Sequence, residues 1–133
     1  MIMRALLLTP VLVLAASCAT HTAASSERAQ QRLAEALEGR IAGEPVNCIP
    51  ASEGGGPDII DSKTILYRQG NRLWRNDLPD NCPFMRPNQI LIVELWGSNL
   101  CRNDLVSVVE RGGGSIPIGK CRLGQFTPYT RAQ

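Results

Sequence analysis

The chain has 133 residues, with 14 Lys+Arg, 12 Asp+Glu, one His and five Cys, which leaves room for one domain. A formal net charge of +2 with mixed signs speaks against a strong nucleic-acid footprint, which would need a basic face or stripe. A hydrophobic share of 44% excludes a disordered chain, and an aromatic share of 5% leaves little material for an aromatic carbohydrate-binding platform.

Residues 1–17 read as an export signal. Arg4 supplies the positive start, and Ala5 to Ala16 form a twelve-residue apolar core. That is short of the about 20 residues that cross a bilayer. The run Leu14-Ala15-Ala16-Ser17-Cys18 resembles a bacterial lipobox, in which small residues precede a cysteine that becomes the lipidated first residue. An ordinary cleaved signal is the alternative. Ala19 follows the cysteine in place of Asp, which by analogy with lipoprotein sorting in enteric bacteria points to the outer membrane, facing the periplasm. Residues 18–25 are small and polar, as in a flexible tether, and hold the only histidine, His21.

Residues 26–43 are expected to form one helix. Ser25 or Ser26 can cap it. Leu33, Ala36, Leu37 and Ile41 fall on one face, and Gly39, Gly43 and Pro45 end it. From residue 44 to 133 the pattern changes to short strands and loops. Ile59 to Ser62 is a first short strand. Thr64–Arg68 and Arg72–Arg75 flank Gln69-Gly70-Asn71, a hairpin signal. Gln89 to Trp96 is the most strand-like run, Leu105 to Glu110 is the next, and Leu123 to Phe126 is the last. The expected fold is a small mostly-β domain, an antiparallel sheet or small barrel of four to five short strands, with one N-terminal helix and two disulfides.

If Cys18 carries lipid, Cys48, Cys82, Cys101 and Cys121 remain, an even set that in an exported chain reads as two disulfides. Their spacings match no zinc motif. Three connectivities are open. The hairpin between the first two cysteines favours Cys48–Cys82, and the glycines after Glu110 favour Cys101–Cys121.

Several segments follow one another in a known order: Cys48-Ile49-Pro50, Asp58 to Ser62, Leu66-Tyr67-Arg68, Leu73-Trp74, Cys82-Pro83, Gly97 to Cys101, and Cys121-Arg122-Leu123-Gly124-Gln125-Phe126. Over residues 46–128 they resemble small exported proteobacterial proteins grouped as a domain of unknown function. The resemblance implies an envelope location and a cysteine-stapled fold, and no activity.

With His21 outside the fold, Ser-His-Asp and Cys-His catalysis and histidine metal sites have no residue to use. The triple glycines at 54–56 and 112–114 are not followed by Gly-Lys-Ser/Thr, so they make no phosphate loop. The reading is therefore of no catalytic residues, no cofactor and no metal. Paired carboxylates (Asp58 with Asp61, Asp77 with Asp80, or Glu94) keep a hydrolase as an alternative. Glu94 shares a strand face with Ile90, Ile92 and Trp96, and calls for a partner such as Arg68, Arg75 or Arg102. Arg68, Arg72 and Arg75 cluster at the hairpin with Trp74 and form, with Glu94, the partner-binding candidates. What is left is a non-enzymatic envelope lipoprotein, held to the membrane by its lipid, that binds another envelope protein or is purely structural. The other alternative is a periplasmic inhibitor of a lysozyme-like enzyme, with a loop near Gly97–Asn99 as its inhibitory element.

Overall fold

Ala, Gln, Glu, Arg and Leu fill residues 27–37, and all are good helix formers. In the computed structural model, which describes residues 17–53 and 56–133, helix α1 runs Ser17–Leu37. Residues 1–16 of the expected export signal lie outside the described residues. The helix differs from the expected 26–43 at both ends. The chain is already helical at Ser17, the first described residue, so the backbone of the expected tether is helical, since Ala, Ser and Thr offer no Gly or Pro to break it. It stops at Leu37 because Gly39 takes the left-handed conformation, φ 68°. Ile41 therefore leaves the helix stripe for a strand and is 62% exposed. Ala29 and Leu33 are the buried stripe, and Ala36 and Leu37 flank it. Ser25 does not cap the helix; its hydroxyl donates back to the Thr22 carbonyl. Among the described residues no helix is long and apolar enough to cross a membrane.

Ten strands follow among the described residues: β1 Arg40–Ala42, β2 Cys48–Pro50, β3 Asp58–Ile59, β4 Thr64–Gln69, β5 Arg72–Asp77, β6 Ile90–Val93, β7 Asn99–Cys101, β8 Leu105–Val109, β9 Pro117–Arg122 and β10 Phe126–Arg131. All pair antiparallel, as a five-stranded sheet β1-β10-β5-β4-β3, a three-stranded sheet β6-β8-β9 and the pair β2-β7. The mostly-β class with one helix and two disulfides is as expected. The strand number is higher because β1, β2, β3 and β7 are only two or three residues long. The β4–β5 hairpin forms where its turn residues placed it, with Gln69 opposite Arg72 across Gly70-Asn71. The expected strand Gln89–Trp96 is shorter, ending at Val93, and the last strand lies later than expected, at β10.

Register explains the core. On one face of the five-stranded sheet, Ile65, Tyr67 and Trp74 turn inward with Phe126, whose ring meets Tyr67 edge-on at 5.7 Å. Val106, Val108 and Cys121 face them from the three-stranded sheet, and Ile49 and Leu100 from β2-β7. On the opposite face of the five-stranded sheet, Leu66 and Ile60 pack against Ala29 and Leu33 of α1.

The Leu123-Gly124-Gln125-Phe126 segment has a specific local cause. Leu123 and Phe126 are fully buried. Gly124 lies so close to the Asp77 carbonyl oxygen that a Cβ there would overlap it. The buried Asn76 side chain closes the pair, donating to the Gly124 carbonyl at 2.9 Å and accepting from its N–H at 2.8 Å.

The disulfide pairing differs from the expected one. The bonds are Cys48–Cys101 and Cys82–Cys121, not Cys48–Cys82 and Cys101–Cys121. Cys48 and Cys101 sit opposite each other in the β2–β7 pair, with Cα atoms 4.0 Å apart. Cys82 follows the hairpin and meets β9 across the core at a Cα separation of 6.0 Å. The sequence separations are 53 and 39 residues. In the chain-entropy model each closure removes roughly 4 kcal/mol of unfolded-state freedom.

Candidate functional site

The β4–β5 hairpin ends at one edge of the five-stranded sheet, and the register there gathers cations. Arg40 of β1 lies opposite Arg131 of β10. Arg68 lies opposite Leu73, and Tyr129 of β10 pairs with that same Leu73, so Arg68 and Arg131 share a sheet face. Arg72 projects to the other face with Trp74. The four arginines and Trp74 line an open depression of about 960 Å³, completed by Pro50, the turn and the other residues of the 130–133 segment. Among the described residues, no Asp or Glu side chain lines it.

Hydrogen bonds fix the walls. Arg40 Nη1 donates to the Asn71 carbonyl at 2.6 Å, tying β1 to the hairpin turn. The buried Trp74 ring donates from Nε1 to Gln69 Oε1 at 2.6 Å. The Arg72 guanidinium lies 5.3 Å from the centre of that ring, within cation–π range. None of the four arginines has a carboxylate within salt-bridge distance among the described residues. Arg40 feels the crowding: loss of hydration, then repulsion from Arg131 and Arg68, pulls its pKa below the ordinary arginine value. An anion seated among these guanidinium groups would relieve that repulsion and accept paired N–H bonds.

Sequence reasoning found Arg68, Arg72 and Trp74 of this site and missed Arg40 and Arg131. Arg75, grouped with them, sits away from the depression. Partial burial disfavours its charge, but its bond to Asp77, 2.9 Å away, and then Tyr129 outweigh this and raise its pKa. Glu94 is not the buried, paired carboxylate that its neighbours suggested. It is exposed and has no salt bridge among the described residues, because the face it shares with Ile90, Ile92 and Trp96 is the outer one. Arg68, Arg75 and Arg102 do not reach it.

The paired aspartates have structural jobs. Asp58 accepts from Arg32 at 2.9 Å, and Asp61 caps the turn before β4 by accepting from the Lys63 and Thr64 amides. Asp77 accepts from Thr64 and Arg75, and Asp80 from Arg122. No three His, Cys, Asp or Glu residues converge as a metal site would need among the described residues. The backbone at Cys18 is part of α1. Comparison of the chain with protein-family models, with curated proteins and with solved structures gives no match.

Proposed function

We propose that the protein is a non-enzymatic cell-envelope lipoprotein, exported by residues 1–17 and lipidated at Cys18, whose folded module grips an acidic segment of another envelope protein. The observation that carries this reading is the depression lined by Arg40, Arg68, Arg72 and Arg131, with no Asp or Glu side chain in its wall among the described residues. Its concavity suits a protruding chain segment better than the plane of a bilayer. Arg is among the residue types that most often anchor protein interfaces. Two disulfides suit an oxidising compartment, and the lipobox-like segment and the resemblance to small exported proteins support the location.

A hexaglutamate peptide is the probe. Titrated at about 10 mM and about 150 mM salt, where the screening length falls from about 30 to about 8 Å, it should bind more tightly at the lower salt. The double variant Arg68→Ala/Arg131→Ala, two substitutions at exposed positions, should weaken low-salt binding at least tenfold. Equal binding by the variant sinks the reading. Binding to phosphatidylglycerol vesicles with no affinity for the peptide would reassign the depression to lipid headgroups.

A further inference from the structure

A second cavity has the opposite chemistry. It is a partly open hollow of about 180 Å³ beside β6 and the β2-β7 pair. Ile49, Leu91, Val93, Leu100 and Val106 form much of its wall, and among the described residues Tyr67 is the only lining residue with a polar side chain. Tyr67 is 7% exposed. Its hydroxyl has no hydrogen-bond partner among the described residues, yet no buried side-chain oxygen or nitrogen there is left unsatisfied. The hydroxyl is therefore not sealed in protein and opens on the space that its ring lines. Burial pushes its pKa well above the ordinary tyrosine value, so it stays a neutral donor at physiological pH.

Size and polarity restrict the occupant. A buried water needs two to four polar partners, and the described side chains here supply one. An apolar cavity of about 150 Å³ is known to hold a benzene molecule. The geometry points to a binding site for a phenol-sized group, a single six-membered ring carrying one oxygen, with the ring among the aliphatic side chains and the oxygen on the Tyr67 hydroxyl. This site is independent of the arginine depression, for it shares with it only Pro50.

The test is a ¹⁹F NMR titration of the full chain with 4-fluorophenol and with fluorobenzene. Both should bind saturably, the phenol about five-fold more tightly, as one net hydrogen bond gives. Tyr67→Phe keeps the ring and removes the donor: it should retain fluorobenzene binding and lose the preference for the phenol. Val93→Phe, on a half-buried edge strand, should fill the space and abolish both. Absence of saturable binding to the unaltered chain overturns the proposal. So does a phenol preference that survives Tyr67→Phe, a result that does not depend on whether Val93→Phe folds.

Discussion

The five-stranded and three-stranded sheets bury very different shares of their strands, and the more apolar strand is the less buried. β4 reads Thr-Ile-Leu-Tyr, and all four residues are buried, because the core takes Ile65 and Tyr67 while α1 takes Leu66. β6 reads Ile-Leu-Ile-Val and alternates between exposed and half-buried. Its inward residues, Leu91 and Val93, join the core, while Ile90 and Ile92 face out beside Leu105 and Ile118. A strand with two covered faces needs no alternation, and one with a single covered face shows it in burial even when its sequence does not. The covering helix, not strand composition, separates the two.

The largest effect should come from the doubly covered sheet. Leu66 is 2% exposed and packs against Ala29, Leu33 and Ile60. Leu66→Ala should cost about 2–5 kcal/mol, read as a lowered denaturation midpoint with unchanged slope. A loss below about 1 kcal/mol would mean that the helix leaves little of a cavity behind, and the contrast between the sheets would weaken.

The same contrast explains what local pattern reveals. The β4–β5 hairpin was legible because β-formers flank a Gly-Asn turn two residues long. β9 was not, since Pro117 and Gly119 are poor strand residues. Pro is tolerated at the first position of an edge strand, and Gly119 leaves room for the Phe84 ring. Glu94 misled because one apolar face was taken for the inner one. The disulfides depend on β2 meeting β7 across 53 residues, which no local spacing encodes. The arginine site was half visible. Arg68, Arg72 and Trp74 cluster within one hairpin, but Arg40 was assigned to the helix and Arg131 to the tail beyond the last strand. Only the β1–β10–β5 pairing brings them to the same edge.

A smaller effect should appear at high pH, through the core that the two sheets share. Tyr67 faces that core, and burial raises its pKa above its ordinary 10.0. The folded state thus holds the phenolic proton more tightly than the unfolded chain does. The stability from this group is full below about pH 10 and falls as pH rises beyond it, by at most about 1.4 kcal/mol per pH unit. Tyr67→Phe should flatten that decline in a stability-against-pH series. An equally steep decline in the variant would place the titration elsewhere.

The smallest effect should fall on the bare face of β6. Ile92 is 42% exposed and lies opposite Ser107, itself only half-buried. Ile92→Ser removes little packing, so the isolated chain should change by about 0.5 kcal/mol or less. The measurement is best made at two protein concentrations well apart. An exposed apolar patch of Ile90, Ile92, Leu105, Ile118 and the 93% exposed Trp96 is the kind that associates. If a second copy covers it, stability will rise with concentration and Ile92→Ser will erase that rise. If nothing covers it, both chains will unfold alike at both concentrations. In that case the three-stranded sheet tolerates an apolar outer face because its inner face and the Cys82–Cys121 link already hold β6, β8 and β9 against the rest of the fold.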